Sequence, residues 1–126
     1  MLGVDTIVCV DSRIYGKPAD TEHARATLEA LSGRSHSVIG GICLLEERGP
    51  RTAVVSTRVE FRSLDRGLID WYLATDEWRE RAGGYAIQGR GAALVRGIDG
   101  DYLNVVGLPV NALLELAPWL LGLGTA

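Results

Sequence analysis

Residues 55–62 alternate strictly between two kinds of side chain, and this alternation limits the fold more than any other feature of the sequence. One set of positions holds Val55, Thr57, Val59 and Phe61, and the other holds Ser56, Arg58, Glu60 and Arg62. Successive side chains of a β-strand point to opposite faces, so the pattern predicts a strand with one buried face and one face in water. The strand therefore belongs to a sheet that is covered on one side.

Other strands and turns follow from short local signals. Two apolar runs, residues 4–10 and 38–45, predict buried strands, and residues 13–15 predict a short return strand. Two-residue turns are expected where glycine, proline, aspartate or serine separate these runs. The predicted turns are Asp11-Ser12, Gly49-Pro50 and Asp99-Gly100, the last as the turn of a hairpin.

Three helices are predicted between and after the strands. Asp20 or Thr21 can cap the first helix, and Gly33 stands where its C-terminal cap belongs. Pro109 suits the first turn of a last, leucine-rich helix that Pro118 ends or kinks. The apolar stripes of the first two helices are Ala24, Leu28 and Leu31, and then Leu64, Leu68, Trp71 and Tyr72. Strands and helices mixed within 126 residues indicate a single α/β or α+β domain.

Charge and hydropathy exclude several classes of protein. Lys and Arg number 13 and Asp and Glu 16, a net charge of −3, which argues against a protein that coats nucleic acid. No membrane partner is expected, since no apolar run approaches the roughly 18–20 residues of a membrane helix. No charged-then-apolar leader opens the sequence, and Cys9 and Cys43 lie in apolar runs that predict reduced thiols rather than a disulfide. These features are typical of a cytoplasmic protein.

Three polar residues stand out singly, and each has a structural alternative. Asp5 interrupts an apolar strand, where a carboxylate is costly unless it is paired, binds a metal or faces a cleft. The alternative is a hydrogen-bonded aspartate at a strand end. Lys17 is the single lysine beside 12 arginines, and the alternative is a solvated surface lysine. Gln88 lies in a glycine-rich loop that it can simply close.

Common nucleotide-binding and catalytic motifs do not fit. A P-loop would need glycine where Asp11 stands and serine or threonine where Pro18 stands. The glycines of residues 89–91 precede a strand and lack the third glycine of a dinucleotide fingerprint. His36 lies between two serines, but adjacent strand residues point to opposite faces, so we expect a hydrogen bond at the strand start. His23 is expected to be exposed on the first helix.

Six segments taken together resemble one family. They are GVDTIV at residues 3–8, GKPAD at 16–20, LSGRSH at 31–36, TRVEF at 57–61, AGGYAIQG at 82–89 and GDYLNVVGLP at 100–109. Their order and spacing resemble the Maf family of nucleoside triphosphate pyrophosphatases over nearly the whole chain. The resemblance implies an α/β fold with a mixed twisted sheet and flanking helices, the Maf/Ham1 (inosine triphosphatase-like) architecture. It also implies hydrolysis of a nucleoside triphosphate to the monophosphate and pyrophosphate, with a divalent cation, Mg²⁺ or Mn²⁺.

The resemblance also assigns roles to five residues. Asp5 corresponds to the proton acceptor and can hold the metal, and Lys17 is a second catalytic residue in the same cleft. Thr6, Arg81 and Gln88 correspond to positions that bind the substrate and set specificity. Asp5 followed by Thr6, with Gln88 in the loop, resembles the branch that acts on dTTP and UTP. The chemistry agrees, because an ammonium can hold phosphate oxygens and an amide offers a pyrimidine edge both a donor and an acceptor.

The upstream part of the family pattern is not matched. Family members carry an upstream strand and helix with a Ser-x-Ser-x-Arg-Arg-like segment that contributes arginines to the phosphates, so the resemblance implies an N-terminally truncated member. Arg81 stands where many members have lysine and Asp76 where many have glycine, which leaves Lys17 with Arg81 or Arg34 for the phosphates. We expect the chain alone to self-associate or to be marginally stable, and to turn over nucleotide slowly or not at all. The alternative function is a catalytically impaired nucleotide-binding or regulatory module of the same fold, and a homodimer is left open.

Overall fold

The structure of the chain is a computed structural model that describes residues 1–122. The strands in these residues are β1 (Leu2–Val10), β2 (Arg13–Tyr15), β3 (Ser35–Glu46), β4 (Gly49–Phe61) and β5 (Val95–Asp99). The α-helices are α1 (Thr21–Leu31), α2 (Arg66–Leu73), α3 (Tyr102–Val106) and α4 (Val110–Leu116). Short 3₁₀ segments occur at Ala82–Gly84, Gly89–Leu94 and Pro118–Leu121.

The five strands form one sheet in the order β2-β1-β3-β4-β5, and each neighbouring pair is antiparallel. The long β3–β4 hairpin lies at its centre and pairs from Ser35 opposite Glu60 to Glu46 opposite Gly49. β1 pairs with β3 along most of its length but with β2 only over its last three residues. One sheet with flanking helices confirms the expected α/β architecture, but the sheet in the described residues is antiparallel throughout rather than mixed.

The alternation at residues 55–62 has the expected structural result. On the inner face of β4, Thr57, Val59 and Phe61 are each at most 1% exposed. The exposed residues of the other face are Ser56, Arg58, Glu60 and Arg62. Helices α1 and α2 supply much of the apolar layer that covers the inner face, and the residues they bury are Ala24, Thr27, Leu28, Leu31, Ile69, Tyr72 and Leu73. Each fully buried large apolar side chain in such a layer stabilises the fold by about 1.5–3 kcal/mol.

Helix α1 begins and ends where the sequence predicts. Asp20 precedes it with extended backbone, and its Oδ1 accepts a hydrogen bond from the backbone N–H of His23 at 2.8 Å. Gly33 follows the helix with a φ of +67°, a conformation that glycine adopts at helix ends without strain. His23 is exposed, as expected. The last α-helix likewise stops at Leu116, two residues before Pro118, so the predicted end is confirmed.

The turn predicted at Gly49-Pro50 is wrong by two residues. Glu47 and Arg48 form the turn between β3 and β4, and Gly49 already pairs with Glu46. Gly49 leaves the turn with a φ of +114°, so the glycine serves the exit of the turn rather than its centre.

The hairpin predicted at Asp99-Gly100 is also wrong, because β5 leads into helix α3. The physical reason is Asp101, whose Oδ1 accepts hydrogen bonds from the backbone N–H groups of Leu103 and Asn104 at 2.9 and 3.4 Å. These bonds cap a helix N-terminus and divert the chain from a second strand.

The apolar stripe predicted for the second helix is shifted. Helix α2 begins at Arg66, after its capping residue Asp65, so Leu64 lies outside the helix. A stripe of residues placed at helical spacing from Leu64 therefore does not coincide with the buried face of the helix. Trp71 is consequently 45% exposed rather than buried. The residues that α2 buries are Ile69, Tyr72 and Leu73.

Two expectations about the chain's surroundings can be compared with the structure. Cys9 and Cys43 are both free and half-buried, and they lie at opposite ends of the β1–β3 pair, so they do not form a disulfide with each other. Within residues 1–122, no helix combines the length and the apolar character needed to cross a bilayer.

Candidate active site

A cleft of about 680 Å³ lies between β1, the segment that precedes α1 and the chain that follows α2. The five residues that the family resemblance singles out all line this cleft: Asp5, Thr6, Lys17, Arg81 and Gln88. They come from three parts of the chain that are distant in sequence. A cleft of roughly 300–1,000 Å³ is the usual size for a small-molecule or cofactor site.

Asp5 lies in the first half of β1, opposite Gly41 of β3, and is exposed to the cleft. The free-energy cost of burying a carboxylate in an apolar strand is therefore avoided, because the charge remains in water. Its Oδ1 accepts a hydrogen bond from the backbone N–H of Thr6 at 2.9 Å, the one side-chain hydrogen bond that Asp5 makes within residues 1–122. This bond orients the carboxylate and leaves Oδ2 for a ligand.

Lys17 follows the β1–β2 hairpin and carries a loosely held positive charge. Its Nζ lies 4.0 Å from Oε2 of Glu80, and the two side chains are 64% and 88% exposed. An ion pair this exposed contributes little to stability, so Lys17 can leave Glu80 for a stronger anion.

A close backbone contact holds the Lys17 segment against the cleft. The N–H of Gly83 donates to the carbonyl oxygen of Gly16 at 3.1 Å. Gly83 has a φ of +74°, and a Cβ at this position would lie 2.7 Å from Cγ2 of Val8 on β1. Glycine therefore allows the chain after α2 to approach β1 and to close one end of the cleft.

Arg81 and Gln88 approach the cleft from the chain that follows α2. Arg81 immediately precedes the 3₁₀ segment Ala82–Gly84, and Gln88 immediately precedes the segment Gly89–Leu94. Both residues have extended backbone and exposed side chains, so each can reach a ligand in the cleft.

An acidic stretch that the family resemblance does not assign to the site forms part of the cleft wall. Asp76, Glu77 and Glu80 line it, together with Arg79. Asp76 and Glu80 both have a φ of +61°, a left-handed conformation that is uncommon for residues other than glycine. The sequence feature that points to this stretch is its density of charge, since five of the six residues 76–81 are charged.

The charges that line the cleft nearly balance one another. The cations are Lys17, Arg79 and Arg81, and the carboxylates are Asp5, Asp76, Glu77 and Glu80. Three positive and four negative groups leave a formal charge of −1. Arg34, the predicted alternative to Arg81 as a phosphate ligand, is absent from this lining and forms an ion pair with Asp11 instead. The structure does not bring Arg34 together with the other candidate residues.

Tyr85 connects the cleft to the core. Its Oη lies 2.7 Å from Nε2 of His36, which is 2% exposed, and both rings meet Phe61 edge-on. Burial lowers the pKa of His36 to about 4 and raises the pKa of Tyr85 above its usual range. The hydrogen bond expected for His36 at the strand start is therefore confirmed, and its partner is Tyr85 in the core.

The donor set of the cleft suits a cation only in combination with other oxygen ligands. Residues 1–122 contain no group of three or more His, Cys, Asp or Glu side chains that could hold a metal ion. Mg²⁺ usually keeps several waters and is bound through one or two carboxylates together with substrate phosphates. Asp5, with Oδ2 available, fits that kind of coordination.

Comparison with known proteins identifies the family. The model described as Maf-like protein matches residues 1–118. A dTTP/UTP pyrophosphatase of Pyrococcus furiosus is 47% identical over 116 residues, which are 92% of this chain and 61% of that protein. A protein of the same name from Symbiobacterium thermophilum is 47% identical over 116 residues, 92% of this chain and 60% of the relative.

A third relative gives the same result. The dTTP/UTP pyrophosphatase of Myxococcus xanthus is 47% identical over 126 aligned residues, 94% of this chain and 64% of that protein. The chain thus spans about three fifths of the length of the curated relatives it matches. Because the family model covers residues 1–118, this chain belongs to the Maf-like protein family.

Proposed function

We propose that this chain carries the catalytic cleft of a nucleoside triphosphate pyrophosphatase that acts on dTTP and UTP and releases the monophosphate and pyrophosphate. One observation carries the proposal: Asp5, Lys17 and Gln88, from three separate parts of the chain, line the same cleft of about 680 Å³. They supply a base, a phosphate-binding cation and a base-reading amide. The names of relatives at 47% identity support the same activity.

The proposed reaction is an attack of water on the α-phosphorus. The water oxygen bonds to that phosphorus, and the bond from the phosphorus to the oxygen that bridges to the β-phosphate breaks. The leaving pyrophosphate takes the electron pair, and Asp5 accepts the proton that the water loses. The hydrogen bond from Thr6 to Oδ1 supports this role, because it orients the carboxylate while Oδ2 stays open to the cleft.

Lys17 is proposed to hold the phosphate chain. Its ammonium can serve as a compact point charge on phosphate oxygens, and its pairing with Glu80 at 4.0 Å is weak enough to be replaced. Arg81 lies in the same lining and adds a second positive charge on a fork of donors.

A divalent cation, Mg²⁺ or Mn²⁺, is proposed to enter with the nucleotide. Asp5 would hold it from the protein side, and triphosphate oxygens and waters would provide the remaining ligands. Bound there, such a cation supplies neutralisation of phosphate charge and a lower pKa for a coordinated water.

Gln88 and Thr6 are proposed to set specificity for the base. The Gln88 amide offers one donor and one acceptor group, which can pair with the N–H and carbonyl on the edge of uracil or thymine. Its exposure at the rim of the cleft supports this role, since no other side chain has to be displaced before a base can bind.

A nucleotide-binding module without turnover is the second candidate. The described lining has a formal charge of −1, whereas a triphosphate brings about four negative charges at neutral pH. That balance favours slow chemistry or binding alone.

The two candidates differ in their products. The purified protein is incubated with dTTP, UTP and GTP in the presence of Mg²⁺ or Mn²⁺, and bound nucleotide, monophosphate and pyrophosphate are measured. Equal amounts of monophosphate and pyrophosphate, with dTTP and UTP preferred over GTP, support the pyrophosphatase. Saturable binding of intact nucleotide with no products supports the binding module.

A further inference from the structure

The carboxylate of Glu77 is bonded to the loop that carries Gln88. We define the Gln88 loop as residues 86–91. Oε2 of Glu77 accepts a hydrogen bond from the backbone N–H of Arg90 at 3.2 Å, and Oε1 accepts one from the backbone N–H of Gly91 at 3.1 Å. Bonds from neutral donors to a carboxylate are roughly twice as strong as bonds between neutral groups. Glu77 therefore holds the C-terminal side of the loop.

Tyr72 holds the other side of the same loop. Its Oη accepts a hydrogen bond from the backbone N–H of Ala86 at 2.9 Å, and the residue is fully buried in the core. Burial is the main reason that the pKa of Tyr72 is raised, and the nearby Glu77 carboxylate adds to the rise. Gln88 is thus flanked by two anchors, one in the core and one at the wall of the cleft.

The packing of the loop glycines leaves little freedom between these anchors. Gly89 has a φ of +76°, and a Cβ there would lie 3.0 Å from Oε2 of Glu77. A Cβ at Gly91 would lie 1.7 Å from the carbonyl oxygen of Ala86, so the loop closes tightly on itself. The contacts of Glu77 with Gly89, Arg90 and Gly91 therefore help to fix the backbone position of Gln88.

We infer that Glu77 is a positioning residue for Gln88, and that through Gln88 it determines the preference for pyrimidine over purine nucleotides. This inference rests on the proposed function. A purine holds its hydrogen-bonding edge farther from the sugar than a pyrimidine does. An amide at a fixed distance from the phosphate-binding end of the cleft can therefore discriminate between them. An amide on a loosened loop can adjust to both.

The test compares variants by binding and by amide hydrogen exchange. The variants are Glu77→Ala, Glu77→Gln, Gln88→Ala and the double variant Glu77→Ala/Gln88→Ala. Glu47→Ala is the matched control, because it removes the same side chain from the exposed β3–β4 turn, outside the cleft. The ligands are the α,β-methylene analogues of UTP and GTP, which cannot be cleaved at the α–β bridge. Their dissociation constants are measured in the presence of Mg²⁺.

In Glu77→Ala, we expect exchange of the Arg90 and Gly91 amides to accelerate by about tenfold or more, since both lose a charge-assisted hydrogen bond. Exchange in β3 should not change. The preference for UTP over GTP, measured as the ratio of the two dissociation constants, should fall to the value found for Gln88→Ala. The double variant should show no further decrease in this preference. Glu77→Gln keeps one acceptor oxygen and should retain part of the preference. Glu47→Ala should match the wild type.

Two results would overturn the inference while leaving the proposed function intact. One is an unchanged UTP-over-GTP preference in Glu77→Ala and Glu77→Gln with the fold preserved. The other is a loss that adds to the loss from Gln88→Ala, which would mean that Glu77 acts independently of Gln88. If Glu77→Ala does not fold, the test uses Glu77→Gln alone. The two quantities are then the amide hydrogen exchange of Arg90 and Gly91 and the UTP-over-GTP preference in binding. A wild type that does not prefer UTP, or a Gln88→Ala variant that keeps the preference, would contradict the proposed role of Gln88 instead.

Discussion

The phenolic oxygen of Tyr85 lies 2.7 Å from Nε2 of His36, and this bond joins the lining of the cleft to the buried face of β3. His36 is almost fully buried, and its Nδ1 has no hydrogen-bond partner among the described residues. A protonated ring would need two acceptors in a site that excludes water, so the folded protein strongly favours neutral His36.

Stability should therefore fall as the solution becomes acidic. Below pH 6.5 the histidine of the unfolded chain binds a proton, whereas the folded ring stays neutral until about pH 4. The unfolded state then binds more protons, so the free energy of unfolding should drop by about 3 kcal/mol between pH 7 and pH 4. Urea titrations across this range measure the drop. Because carboxylates also titrate there, His36→Phe is the comparison, and an equally steep decline in that variant would contradict the assignment.

Asp5→Asn should remove turnover without disturbing the fold. The substitution keeps Oδ1 as an acceptor for the Thr6 N–H but cannot accept a proton, so the rate should fall at least roughly a hundredfold. Asp5 is exposed, so the free energy of unfolding should change by no more than about 0.5 kcal/mol. Steady-state pyrophosphate release measures the rate, and Asp99→Asn, at the exposed end of β5, is the control. Near-normal rates in Asp5→Asn would show that this aspartate is structural.

Lys17 and Gln88 should affect different parts of the substrate. Lys17→Ala should weaken the handling of every nucleoside triphosphate, because phosphates carry no information about the base, and Lys17→Arg should restore part of the loss. Gln88→Ala should instead change the ratio of kcat/KM between UTP and GTP. Rates for both nucleotides are measured with each variant. Equal losses for both nucleotides in Gln88→Ala would remove its specificity role.

Gly83→Ala should destabilise the fold. The new Cβ would lie 2.7 Å from Cγ2 of Val8, and the φ of +74° is unfavourable for alanine, so we expect a loss of about 1–3 kcal/mol. Gly97→Ala on β5 is the control, because a Cβ there has open space and should change stability by less than about 0.5 kcal/mol. Thermal and urea unfolding measure both variants. Equal stability of the two would show that the close contact with β1 is dispensable.

Local physical signals in the sequence predict much of the fold. The alternation at residues 55–62 is a direct record of the two faces of β4, and Asp20 with Gly33 marks the ends of α1 by hydrogen bonding and backbone conformation. The misplaced features depend on competing signals. Asp99-Gly100 favours a hairpin in isolation, but the caps that Asp101 provides to α3 favour a helix.

Candidate site residues divide in the same way. Asp5, Lys17 and Gln88 stand out singly in type or position, but each has a structural alternative, and it is the resemblance of six segments to one family that assigns them to a common site. Glu77 could not be selected from the sequence, because a glutamate in a charged segment has the composition of any solvated surface. Its significance comes from its bonds to the backbone of Arg90 and Gly91, which lie 13 and 14 residues away and depend on the folded loop.

The position of water attack tests the central claim most directly. The protein is incubated in excess over dTTP with Mg²⁺ in ¹⁸O-labelled water, and the products are analysed by mass spectrometry. The proposed reaction at the α-phosphorus predicts thymidine monophosphate that contains one labelled oxygen and pyrophosphate that contains none. Labelled pyrophosphate, or a diphosphate released together with inorganic phosphate, would contradict the account.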